Sequence, residues 1–245
     1  MIAQFTRGTH YLLKGFSLIQ HPHIRRFVII PLLINIVLFG GLIWYGATEI
    51  KTLIEWLISF LPGWLAWLRW LLWPMFALIA MLIVFYLFTP VANLIGAPFN
   101  SLLAEKLEVQ LTGRPLPNEK GLRSLISDTS SAFINELKKL AYLVLWAIPL
   151  LILFLIPGVN VIAPFIWFVF SAWMLALEYC DYPMGNHSLL FREERRLLRQ
   201  HRQLALGFGG AVMLMSAIPV LNFLAMPVAV AGATAMWVEQ LQAKS

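Results

Sequence analysis

FVIIPLLINIVLFGGLIWYGAT, residues 27–48, carries no charged residue and one strongly polar residue, Asn35. Wound as a helix it would extend about 33 Å, enough for a hydrocarbon core about 30 Å thick. Arg25 and Arg26 stand directly before it, the basic flank expected on the cytoplasmic side of a span. No small-residue cleavage site follows, so the segment is expected to stay in the mature chain. The rest of the sequence agrees with this reading. Of 245 residues 60% are hydrophobic and 12% charged, half the charge of an ordinary soluble domain, and the mean hydropathy is +0.78. These values describe an all-α integral membrane protein. Its apolar runs spread along the chain with no soluble-type region long enough to fold alone, so residues 1–245 are expected to form one membrane-embedded domain.

Outward from that stretch, residues 71–91 form a second uncharged span. Between the two, residues 49–70 mix Glu49, Lys51, Glu55 and Arg69 with leucines and Trp56, Trp64, Trp67 and Trp70, and turn at Pro62-Gly63. This reads as an interfacial helical connector with tryptophans at headgroup level. Two further apolar runs, 140–178 and 204–238, are broken near their centres, at Pro157-Gly158-Val159-Asn160 and around Pro219 and Asn222. Each half is short for a bilayer, which predicts two helical hairpins that penetrate the membrane only partly. In both, a proline preceded by isoleucine stands three residues before an asparagine, a match short enough to arise by chance.

Residues 98–139 hold five of the twelve acidic residues and read as two cytoplasmic-side helices, the first opened by Pro98 and Asn100 and closed by Gly113. The second follows helical spacing from Leu122 through Phe133 to Leu140. Residues 1–20 form an amphipathic segment with Phe5, Tyr11, Leu12, Phe16 and Ile19, expected to lie along the inner surface. With two spans and two returning hairpins, only Lys51 and Arg69 fall on the far side, a strong positive-inside bias. The net charge of +6 is therefore assigned to the membrane surface rather than to nucleic acid.

The sequence has no Gly-rich phosphate loop, no H-E-x-x-H and no G-x-S-x-G. A single cysteine excludes an internal disulfide and a multi-cysteine metal site, and no metal or cofactor is expected. The best enzyme candidate is EYCDYPMGNH, residues 178–187, which gathers Glu178, Cys180, Asp181 and His187. A thiol near an acid and an imidazole could serve as a nucleophile. The spacing matches no ligand pattern, and charged residues are expected where a helix leaves lipid. Asn35, Asn93, Asn160 and Asn222 fall one in each apolar segment, where a neutral amide either bonds a neighbouring helix or lines a polar route. The glycines of GFGG, residues 207–210, suit close helix contact. Arg25 and Arg26 have two compatible readings. They anchor the span on the inner side. They also stand where a helix start turns unpaired N–H groups, near Ile24 and Phe27, and its positive dipole end toward an oxyanion.

PHIRRFVIIPLLIN (22–35), TPVANLIGAPFNSLLAEKLE (89–108), FSAWMLALEYCDYPMGNH (170–187) and MPVAVAGATAMW (226–237) closely resemble the CysZ family of bacterial sulfate permeases. The resemblance runs from near residue 10 to about residue 238. It implies a homo-oligomeric, multi-pass inner-membrane protein that is not an enzyme and admits sulfate for cysteine biosynthesis; sulfite and related oxyanions offer the same oxygens. The family's sulfate site is associated with paired arginines before the first long helix, which map onto Arg25 and Arg26. The sequence departs from the family's P-G-I-R-R pattern at His23. Two other classes fit the composition: an accessory protein of another sulfate uptake system, and a membrane-bound thiol enzyme using Cys180.

Overall fold

The computed structural model describes residues 2–60, 62–63, 67–114 and 129–242. All of its regular elements are helical: α1 (Ile2–Ile19), α2 (Pro22–Ser59), α3 (Leu68–Thr112), α4 (Thr129–Leu153), α5 (Ala163–Asn186), α6 (Phe191–Gln200), α7 (Arg202–Ser216) and α8 (Pro219–Met236), which ends in a π turn, Trp237–Leu241. The chain divides into two compact units, one of Met1–Val28 with Asn100–Ser245, the other of Ile29–Phe99. Among the described residues three helices are long and apolar enough to cross a membrane: Pro22–Leu57, Ala163–Asn186 and Val220–Leu241.

The unit Ile29–Phe99 takes most of α2 and α3. Helix α2 does not stop at Thr48 but runs to Ser59, because nothing between Thr48 and Pro62 breaks a helix. The first half of the expected connector therefore continues the first span, and the helix ends before Pro62-Gly63. Helix α3 likewise passes through Pro98 and Asn100, where a new helix was expected to start, and ends before Gly113, which has φ +67°. Proline inside a helix of this kind is tolerated when its freed carbonyl is satisfied locally. Large apolar side chains point outward from this unit, Val37, Trp44, Trp70 and Met81 among them. So many exposed large apolar side chains suit a lipid environment rather than water.

In the other unit α8 is the central helix. Its sequence is hydrophobic on all sides, and 61% of its most apolar stretch is buried, against 17% for α2 and 28% for α5. Helices α1, α5 and α7 pack around it. Glycines set how closely they approach. Gly207 lies against the Phe5 carbonyl, Gly8 against the Leu204 carbonyl, Gly15 against the Val228 carbonyl and Gly209 against the Ala172 carbonyl, so a Cβ at any of them would overlap backbone. That is why the GFGG run sits where it does. The apolar face of α1, with Tyr11, Leu12, Leu18 and Ile19 buried, is accordingly covered by protein.

The first break falls where the sequence places it, as a turn over residues 154–162 in which Gly158 takes φ +86°. The second is only two residues long, Ala217 and Ile218, with Pro219 opening α8. One hydrogen bond is shared by both: Asn160 N–H donates to the Ile156 carbonyl at 3.0 Å, and Asn222 N–H to the Ile218 carbonyl at 2.9 Å. The arms are unequal. At about 1.5 Å per residue α7 extends about 22 Å and α5 about 36 Å, because α5 continues past Glu178 and Asp181 to Asn186. Residues 115–128, which include the start of the second expected cytoplasmic-side helix, lie outside the described residues.

Candidate anion site

Helix α2 begins at Pro22, whose fixed φ and missing N–H suit a first helical position. The His21 carbonyl accepts both the Ile24 and the Arg25 N–H at 2.9 Å, which closes the turn. Ile24 is 1% exposed and seats the helix start in the core, and Phe27 and Val28 pack partly against the same core. This leaves Arg25 and Arg26 exposed. The Arg26 guanidinium stands 4.9 Å from the centroid of the Phe27 ring, which holds its plane without neutralising its charge. Neither arginine forms an ion pair with a carboxylate among the described residues. The geometry is thus two uncompensated guanidinium forks at the positive end of a long helix, a combination suited to a tetrahedral oxyanion. The Ile24 N–H named from sequence is already bonded to His21, whereas the His23 N–H meets no described acceptor.

The four asparagines divide between the two units. Asn35 belongs to the unit Ile29–Phe99, and its buried Oδ1 has no hydrogen-bond partner among the described residues. Asn160 and Asn222 belong to the other unit and are exposed at the two helix breaks. The side chain of Asn93 lies outside the described residues.

Residues 178–187 do not converge as a thiol site would require. Cys180 is completely buried in the hydrophobic core. Asp181 accepts a hydrogen bond from the Lys139 ammonium at 2.5 Å. His187 Nε2 lies 2.8 Å from Glu108 Oε1, with the imidazole centroid 5.3 Å from that of Trp237. No group of three His, Cys, Asp or Glu side chains among the described residues could hold a metal ion.

What the sequence did not reveal is how these groups pair. Lys139 also meets Glu136 at 3.2 Å and Glu178 at 3.6 Å. Burial works against its charge, yet Asp181, Glu178 and Glu136 outweigh burial and hold the ammonium above its ordinary range. Glu194 of α6 is buried close by; desolvation and then the Asp181 charge push its carboxyl up to about 9. Ser101 Oγ donates to Asn186 Oδ1 at 2.8 Å, and Asn186 Nδ2 returns a bond to the Ser101 carbonyl at 3.0 Å. Together these contacts form a polar seam joining the end of α3 to α4, α5 and the π turn. The i,i+3 spacing of Glu136 and Lys139 was its one local trace in the sequence.

The family described as Sulfate transporter CysZ/Etoposide-induced protein 2.4 matches residues 11–227. A curated relative, the sulfate transporter CysZ of Pectobacterium atrosepticum, is 48% identical over 240 residues, covering 97% of this chain and 87% of its own. The family match contains the paired arginines, both helix breaks and the part of the polar seam from Ser101 to Glu194. On this evidence the chain belongs to the sulfate transporter CysZ family.

Proposed function

We propose that the protein is a sulfate permease of the bacterial inner membrane, supplying sulfate for assimilation into cysteine, and that Arg25 and Arg26 capture the ion. The observation that carries the site assignment is the pair of exposed guanidiniums, free of any described carboxylate, at the start of α2. The physics of transfer supports a polar route. Moving one bare charge into a low-dielectric medium costs on the order of 20 kcal/mol, and the cost grows with the square of the charge, so a dianion must stay hydrated or amide-lined. Asn35, Asn93, Asn160 and Asn222, with helix termini, supply donors along that route. Binding stays weak enough for release. Helix α7, only about 22 Å long, is short for a bilayer, which makes assembly of several subunits the natural way to complete a path.

Radiolabelled sulfate influx into proteoliposomes holding the purified protein tests this. Influx is expected with wild-type protein and is expected to fall at least tenfold in the folded Arg25→Ala/Arg26→Ala variant. Undiminished influx in that variant would remove the pair from the mechanism. Influx only when a second uptake system is present would make the protein an accessory factor instead.

A further inference from the structure

We infer that a second oxyanion site, separate from Arg25 and Arg26, lies in the groove between the polar face of α1 and the C-terminal π turn. The groove holds about 370 Å³ and is lined by Arg7, His10, Tyr11, Lys14, Glu239 and Gln240. Arg7, His10, Tyr11 and Lys14 follow the spacing of one helix face. Glu239 and Gln240 come from the π turn, a backbone form that is rare and recurs at functional sites. Glu239 is already engaged: it pairs with the Lys14 ammonium and accepts the Tyr11 hydroxyl at 3.1 Å. Arg7 and His10, by contrast, make no hydrogen bond or ion pair with a described side chain. One guanidinium and one imidazole, with the Gln240 amide beside them, therefore line a concave space whose one described carboxylate, Glu239, is already engaged by Lys14 and Tyr11.

That arrangement fits a phosphate-type oxyanion, with the Arg7 fork as its main ligand and Lys14 shared between the anion and Glu239. The volume exceeds what a bare tetrahedral ion fills, leaving room for an organic substituent. The same chemistry is carried by an anionic lipid headgroup and by a free phosphate. Glu239 acts as a built-in competitor, since the anion and its carboxylate attract the same ammonium. The two substitutions that test the site thus have opposite signs.

The experiment uses the full chain carrying Arg25→Ala/Arg26→Ala, so that the paired-arginine site makes no contribution whatever its role. One arm titrates inorganic phosphate onto protein in phosphatidylcholine nanodiscs. The other counts phosphatidylglycerol retained by native mass spectrometry from mixed-lipid nanodiscs. Arg7→Gln, at an exposed and partnerless position, is expected to weaken binding about tenfold, and Glu239→Gln is expected to tighten it severalfold. A response in the phosphate arm identifies a free oxyanion as occupant, and a response in the lipid arm alone identifies a headgroup. Either result supports the site. Equal binding by the Arg25→Ala/Arg26→Ala parent and its Arg7→Gln derivative in both arms overturns it, as does weakening by Glu239→Gln. If Glu239→Gln does not fold, Arg7→Gln alone decides.

Discussion

The Lys139 ammonium reaches across from α4 to the Asp181 carboxylate on α5, and this bond organises the polar seam. Lys139 is 8% exposed at the side chain while its partners Asp181 and Glu178 keep 33% and 45%. Removing the cation would leave the carboxylates facing one another with only partial hydration. Breaking a buried pair by deleting one partner costs about 3–5 kcal/mol, and the water left to Asp181 and Glu178 places Lys139→Met at the lower end, about 3 kcal/mol. Lys139→Met/Asp181→Asn is expected to lose less than the sum of the single changes. Thermal unfolding in detergent of the four proteins measures both.

Close backbone contact at Gly207 is a second, sharper dependence. A methyl group there would overlap the Phe5 carbonyl, which can move only if α1 moves. Gly207→Ala is expected to destabilise by about 1–3 kcal/mol and to expose α1 to protease. Gly40→Ala serves as the control, because a Cβ at Gly40 meets nothing within 4 Å. Its expected effect is neutral or stabilising by up to about 1 kcal/mol.

These two cases also show what could be read from the sequence. The uncharged run 27–48 announces a span because charge in lipid is costly, and Pro157-Gly158 announces a turn because a positive φ suits glycine. Arg25 and Arg26 were legible as a pair for the same local reason. Periodicity in α1 shows an apolar face but cannot say whether lipid or protein covers it, and Gly8 facing Leu204 is a tertiary fact. Asp181, which meets Lys139, and His187, which meets Glu108, lie 42 and 79 residues away along the chain, beyond any local pattern. Helix bounds failed where a proline was read as a start: Pro98 lies inside α3.

Cys180 offers a direct discrimination between transport and thiol chemistry. With no exposed surface, its sulfur is expected to resist maleimide in the folded protein and to react fully after denaturation. Sulfate influx after maleimide treatment should equal that of untreated protein. Labelling of native protein with parallel loss of influx would return Cys180 to the list of functional groups.

Glu194 gives stability a pH dependence of defined sign. Its folded carboxyl lies near 9, above the ordinary 4.5, so between these values the folded state holds a proton that the unfolded state has released. Stability therefore falls as pH rises through that window, and below it the contribution vanishes. Glu194→Gln keeps the shape and removes the titration. It is expected to flatten the fall and to gain on the order of 1–2 kcal/mol at pH 8. Unfolding midpoints between pH 5 and pH 9 read this out (both limits about the edges of the window), and parallel curves for the two proteins would refute the assignment.

Charge and fork geometry at the paired arginines can be separated by a conservative exchange. Lysine keeps the positive charge of Arg25 and Arg26 but offers a point ammonium in place of a planar guanidinium. If the site works by fixed, bidentate recognition at the helix start, Arg25→Lys/Arg26→Lys should lose about tenfold in sulfate affinity, while Arg25→Ala/Arg26→Ala loses more. The stacking of Arg26 on Phe27 adds a single-residue version. Phe27→Leu frees the guanidinium without altering charge and is expected to weaken binding by about threefold, the loss of a cation–π contact worth about 0.5–1 kcal/mol. Affinities from sulfate titration of detergent-solubilised protein rank the variants. Equal affinity in the lysine pair and the wild type would show that the arginines act as charge alone.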